Sequence, residues 1–157
     1  MYEFLEETVQ NNMSRSIRSV APEIAVSDLL RLFAAGDADA FPVESRGQLV
    51  GIISKADALK AFELRPDEMM PHYDDLLGTT VDEVMTRHVV TVDGKTRLQR
   101  VLHLMIAHHF KSLPVVDDNN RLLGMIRRED VIRALIQSTR RPALPLTAPP
   151  VGYYAIA

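Results

Sequence analysis

Hydrophobic positions along this chain alternate between a helical and a strand rhythm, and they run through the same order twice. Val26, Leu29, Leu30 and Phe33 share one face of a 3.6-residue period before Gly36-Asp37 ends it. Leu98, Val101, Leu102, Met105 and Ile106 repeat that spacing, and Thr96-Arg97-Leu98-Gln99 just before them has the form of a helix-capping box. Each helix is followed by an apolar segment, Phe41-Pro42-Val43 or Leu113-Pro114-Val115-Val116, then a polar turn, then Leu49-Val50-Gly51-Ile52-Ile53 or Leu122-Leu123-Gly124-Met125-Ile126. The pattern predicts two hairpins, with turns at Ser45-Arg46-Gly47 and Asp117-Asp118-Asn119-Asn120. A closing helix is expected to turn Ala58, Leu59 and Phe62 inward in the first unit, and Val131, Ile132 and Leu135 in the second. Upstream, Ile17 to Val20 and Val89 to Val92 are rich in β-branched residues and predict one more short strand each. Both units therefore read strand, helix, strand, strand, helix.

The duplication holds residue by residue. Displaced by seventy-two positions, Thr8, Val9, Met13, Arg15, Val20, Pro42 and Val43 fall on Thr80, Val81, Met85, Arg87, Val92, Pro114 and Val115. One residue is inserted at the hairpin turn, after which Gly51, Ile53, Asp57 and Ala61 fall on Gly124, Ile126, Asp130 and Ala134. Two units of roughly fifty-five residues are each too small to bury a comfortable core alone, so they are expected to share one body with pseudo-twofold symmetry and two related clefts. The expected boundaries are 1–62 for the first unit with an N-terminal helix, 63–80 for a linker, 81–137 for the second unit and 138–157 for a proline-rich tail. The linker carries Pro66, Met69-Met70 and Pro71 and is expected to form a short helix near Tyr73 to Leu77. The tail holds Pro142, Pro145, Pro149 and Pro150, a density that disfavours helix.

Composition narrows the chemistry. Among 157 residues, 46% hydrophobic and 25% charged are ordinary values for a globular protein, and no apolar run is long enough to span a bilayer. The N-terminal stretch lacks the basic start and apolar run of a secretory signal, which makes a cytoplasmic location the default expectation. The absence of cysteine removes disulfides, thiolate metal sites and cysteine nucleophiles. A net charge of −3 offers no broad positive field, so nucleic acid is not expected as a partner. His103, His108 and His109 lack the spacing with which helical histidines converge on a metal, so no metal site is expected. No nucleophile–base set, phosphate loop or dinucleotide turn is present, and no catalytic role is expected.

The residues Phe41-Pro42-Val43 with Gly51-Ile52-Ile53-Ser54-Lys55-Ala56-Asp57, matched by Leu113-Pro114-Val115-Val116-Asp117 with Gly124-Met125-Ile126-Arg127-Arg128-Glu129-Asp130, resemble the cystathionine-β-synthase (CBS) domain family in its tandem arrangement, the Bateman module. The resemblance covers about residues 8 to 137. It implies an α/β fold of two pseudo-twofold-related repeats packed through their sheets. It also implies a non-catalytic regulatory module that binds an adenosine-containing ligand such as AMP, ADP, ATP or S-adenosylmethionine between the repeats, and that forms a homodimer. A ligand-free scaffold that dimerises or docks on a regulated partner protein is the alternative.

By position, the resemblance places a first ligand site at Val20, Ala21, Ala40, Phe41 and Pro42 around the base, with Ser54 and Asp57 toward ribose and phosphate. The chemistry agrees, since a carboxylate accepts from both ribose hydroxyls and a hydroxyl at a helix start can meet a phosphate oxygen. Ser54-x-x-Asp57 is equally a capping box that needs no ligand. A second site would use Thr91, Val92, Leu113, Pro114, Arg127 and Asp130. There Arg127 stands in place of the hydroxyl, able either to contact phosphate or to fill the cleft.

Overall fold

The computed structural model describes residues 2–63 and 77–139. The segment 64–76, with the expected helix near Tyr73 and the pair Met69-Met70, and the tail after residue 139 lie outside them. The chain runs α1 (Tyr2–Glu6), α2 (Val9–Asn12), α3 (Val26–Ala34), β1 (Ala40–Ser45), β2 (Gln48–Ser54), α4 (Lys55–Lys60), α5 (Val81–Val84), α6 (Leu98–His108), β3 (Ser112–Val116), β4 (Leu122–Arg127) and α7 (Arg128–Ser138).

Both hairpins form, β1 against β2 and β3 against β4, and both carry a register shift at the same place, after Val43 and after Val115. Arg46 and Gly47 lie between paired Ser45 and Gln48 with φ of 52° and 77°, the left-handed pair that a two-residue hairpin turn requires. The inserted residue sits in the second turn. There the Asp117 carboxylate accepts from the backbone N–H groups of Asn119 (2.8 Å) and Arg121 (2.9 Å), while Asn120 takes φ of 59°.

The third strand expected in each unit contracts to a single parallel bridge, Val20 to Val43 and Val92 to Val115. Val20 N–H donates to Pro42 O at 3.0 Å and Glu44 N–H to Val20 O at 2.9 Å, and Val92 repeats the pattern with Pro114 and Val116. The capping box expected at Thr96 is also absent. Thr96 instead closes a turn on Asp93, whose Oδ1 accepts from the N–H groups of Lys95 and Thr96, and α6 starts from Arg97 without a side-chain cap.

Two hydrophobic clusters make the core. Each takes the entry helix of the opposite repeat. Val9 of α2 and Phe4 of α1 pack with Leu98, Val101, Leu113 and Ile126 of the second repeat. Val81 of α5 and Met85 pack with Leu29, Phe41, Val43 and Ile53 of the first. Backbone pairing fixes the exchange: Ser14 pairs with Met125 of β4 and Thr86 with Ile52 of β2. Gly51 and Gly124 make that approach possible, because a Cβ at Gly124 would collide with the Ser14 carbonyl oxygen and one at Gly51 would lie 2.5 Å from Met85 Sδ.

Near the pseudo-twofold axis, Gln48 pairs with its own equivalent Arg121, and Asn120 exchanges hydrogen bonds with Leu49 across the two sheets (3.1 and 2.8 Å). The repeats are thus packed through their sheets.

The closing helices differ in one respect from their sequence pattern. Ala58 and Val131 are buried, but Leu59 and Ile132 face outward at 64% and 54% exposure, as does Ile106 on α6 at 67%. These side chains and Leu102, Met105 and Leu135 border an apolar groove of about 400 Å3 between α6 and α7, except Leu59, which occupies the equivalent place on α4.

Candidate functional site

Ser54 ends β2 and caps α4. Its hydroxyl accepts from Asp57 N–H at 3.1 Å, Asp57 Oδ2 accepts from Ser54 N–H at 3.0 Å, and the hydroxyl donates to the same oxygen at 2.7 Å. Asp57 Oδ1 faces Lys60 Nζ at 3.6 Å. The capping reading of Ser54-x-x-Asp57 is therefore realised, and the carboxylate is already engaged at both oxygens.

The second repeat keeps half of this device. Asp130 Oδ2 accepts from Arg127 N–H at 2.9 Å and Oδ1 receives Arg133 Nη1 at 3.1 Å, in a position where Asp130 is almost fully buried. The Arg127 side chain makes no cap hydrogen bond and is exposed. A guanidinium has no lone pair with which to accept a helix N–H, so it is left to project.

A cleft of about 360 Å3 lies between the repeats. Ala40, Phe41 and Pro42 of β1 form one wall, with Ser16, Ile17 and Arg18 beside them. The facing wall comes from the second repeat, through Ser112 of β3, Met125 and Arg127 of β4 and Glu129 of α7. Lys111 and Asp39 bridge the two at 3.0 Å, and they are equivalent positions under the repeat. A smaller polar cavity of about 250 Å3 adjoins, lined by Asn12, Met13 and Ser14 with Arg127, Glu129, Asp130 and Arg133.

The grouping expected from sequence changes accordingly. Ala40, Phe41 and Pro42 share their cleft with Arg127, and through the adjoining cavity with Asp130, whereas Ser54 and Asp57 line neither cavity. The cause is the exchanged entry segment: once Ser14 pairs with Met125, the residues that follow it, Ser16 to Arg18, run beside the end of β4. Val20 is buried in the first core and Ala21 is exposed beyond it, so neither is on the cleft wall. Thr91, Val92, Leu113 and Pro114 line neither cavity, because Val92 and Leu113 belong to the second core. Sequence reasoning missed Ile17, Arg18, Asp39 and Glu129 as wall residues. The polar positions inside the β-rich entry segment were the available signal. His108 stacks on Phe110 at 5.1 Å, while Lys111 reaches the cleft.

A family model described as the CBS domain matches residues 7–64 and again residues 81–137. The chain belongs to the CBS domain family. As a CBS domain pair it is similar to MJ1225 of Methanocaldococcus jannaschii, 28% identical over 132 residues, which are 81% of this chain and 46% of that protein. The chain thus spans about half the length of that relative, and the MJ1225 crystal structure superposes with a TM-score of 0.76. CBSX2 of Arabidopsis thaliana, solved in complex with AMP, is 28% identical, covers 85% of this chain and 98% of its own, and gives a TM-score of 0.72. The CBS domain pair of MJ0100, solved with 5-methylthioadenosine and S-adenosyl-L-methionine, is 25% identical over 82% of this chain and 99% of its own, with a TM-score of 0.68. Among the described residues no helix is long and apolar enough to cross a membrane.

Proposed function

We propose that this CBS domain pair is a regulatory module that binds an adenosine-containing ligand in the composite cleft between its repeats. One observation carries the reading: an open cavity of about 360 Å3 joins an apolar wall, Phe41 and Pro42, to cationic side chains of the opposite repeat. That combination suits a flat base at one end and an anionic group at the other. The AMP bound by CBSX2 and the methylthioadenosine and S-adenosylmethionine bound by MJ0100 support the ligand class.

Signalling follows from the walls belonging to different repeats. A ligand that contacts both favours one relative packing, and the population shift is worth its difference in affinity for the two packings. Residues of both repeats that border the cleft lead directly into α4 and α7, where Lys55 N–H bonds to Asp39 O and Arg128 N–H to Lys111 O, each at 3.0 Å. A homodimer is part of this proposal, checked by light scattering of the purified chain.

The test is a thermal-shift panel of adenosine, AMP, ADP, ATP and S-adenosylmethionine. Ligand at a hundred times its Kd adds about 2.7 kcal/mol, a melting shift of several degrees in a chain of this size. No shift with any of them would remove the ligand reading. The apolar groove between α6 and α7 favours a second reading, a scaffold that works through protein contacts alone, and that reading would then stand.

A further inference from the structure

Six charged side chains line the cleft, and among the described residues only Lys111 and Asp39 of these are paired with each other. Arg18, from the entry segment of the first repeat, and Arg127, at the end of β4 in the second, have no side-chain hydrogen bond or ion pair among the described residues. Asp37 and Glu129 are likewise unpaired there. We propose that Arg18 and Arg127 act as a two-sided clamp for a single phosphate, making the cleft selective for a nucleoside monophosphate over the corresponding di- and triphosphates. The inference rests on the ligand reading above and sharpens it.

The clamp follows from what each guanidinium is free to do. Arg127 occupies the position where Ser54 closes a helix cap in the other repeat; unable to accept, it leaves its fork of N–H donors available at a helix start. Charge-assisted bonds from two such forks to one phosphate would be short and strong. Because the two arginines come from different repeats, the same phosphate would tie the repeats together.

Selectivity comes from the remaining charges and from size. A monophosphate brings roughly −1.5 to −2 at neutral pH, which two unpaired guanidinia match. The lining as a whole is neutral, three cations against three carboxylates, so each further phosphate meets Asp37 or Glu129 or must break the Lys111–Asp39 pair. A cavity of about 360 Å3 is also near the lower end for small-molecule sites, which run from roughly 300 to 1,000 Å3.

Calorimetric titration of the full chain with adenosine, AMP, ADP, magnesium-free ATP and S-adenosylmethionine tests the clamp, in the wild type and in Arg18→Ala, Arg127→Ser and Arg127→Lys. Both arginines are exposed, so the ligand-free melting temperature of Arg18→Ala and Arg127→Lys should match the wild type, and that of Arg127→Ser, whose hydroxyl can cap α7 as Ser54 caps α4, should equal or exceed it, which reports that each fold is intact. The clamp predicts AMP tighter than ATP by about tenfold or more. It predicts a loss of about tenfold in AMP affinity in Arg18→Ala and Arg127→Ser, a smaller loss in Arg127→Lys, and unchanged adenosine binding. ATP binding as tightly as AMP, S-adenosylmethionine binding more tightly than AMP, or AMP affinity surviving both Arg18→Ala and Arg127→Ser would each overturn the clamp while leaving the ligand reading in place. Failure of every compound to bind would overturn both.

Discussion

Replacing Gly124 by alanine should destabilise the protein far more than the same change at Gly51, although the two glycines are equivalent in the repeat. At Gly124 the added Cβ would overlap the Ser14 carbonyl oxygen and lie 3.3 Å from its carbonyl carbon. That carbonyl is held in place, since Ser14 O accepts from Met125 N–H and Ser14 N–H donates to Met125 O, both at 2.9 Å. Relief therefore strains the backbone, at about 1–3 kcal/mol, or weakens one or both inter-repeat hydrogen bonds, at about 0.5–1.5 kcal/mol each. At Gly51 the nearest atom is Met85 Sδ, the flexible part of a side chain that can swing aside, with Thr86 O at 3.1 Å. Alanine also relieves the backbone entropy that glycine loses in a strand, about 0.5–1 kcal/mol. After the entropic gain is subtracted, the expected totals are about 0.5–2.5 kcal/mol for Gly124→Ala and about 0 kcal/mol for Gly51→Ala. At roughly 2–4 °C per kcal/mol for a chain of this size, calorimetry should show Gly124→Ala melting about 1–10 °C lower and Gly51→Ala nearly unchanged. Urea titration should move the midpoint with little change of slope. Equal costs, or Gly51→Ala the worse of the two, would refute the account of the exchanged entry segments.

Three further outcomes are expected. Ser54→Ala, which breaks a reciprocal helix cap, should cost about 0.5–2 kcal/mol in urea unfolding, whereas Arg127→Ala at the equivalent position should stay within about 0.5 kcal/mol because its side chain caps nothing. Val9→Ala should lose about 1.5–3 kcal/mol, and hydrogen exchange should place the lost protection in α6 and β4 of the second repeat, since Val9 is fully buried in that cluster. Thr8→Val should leave stability unchanged or raise it by about 1 kcal/mol in the same titration, because Thr8 Oγ1 is buried with no hydrogen-bond partner among the described residues.

The hairpins, the helices α3, α6 and α7 and the duplication were legible in the sequence because each rests on local periodicity and on turn residues such as Arg46-Gly47. The first core was legible in part: Val26, Leu29 and Phe33 face inward as their spacing requires, while Leu59, Ile106 and Ile132 carry the same apolar signal and face outward. Periodicity marks an apolar stripe without saying which edge of it the neighbouring element covers. Of the candidate site, Ala40, Phe41, Pro42, Arg127 and Asp130 were legible as members but were assigned to two different places.

What the sequence determined by itself was the repeat, the order of elements, the family and the chemical types that stand at each helix start. Only the tertiary structure decided which repeat each wall belongs to. Pairing of Ser14 with Met125 and of Thr86 with Ile52 is a contact over more than a hundred residues in one case and over thirty-four in the other, and it leaves no periodic trace in either segment. The local sign of it is a glycine opposite each crossing, where the packed molecule fills the space of a Cβ with its own backbone at Gly124 and with Met85 at Gly51.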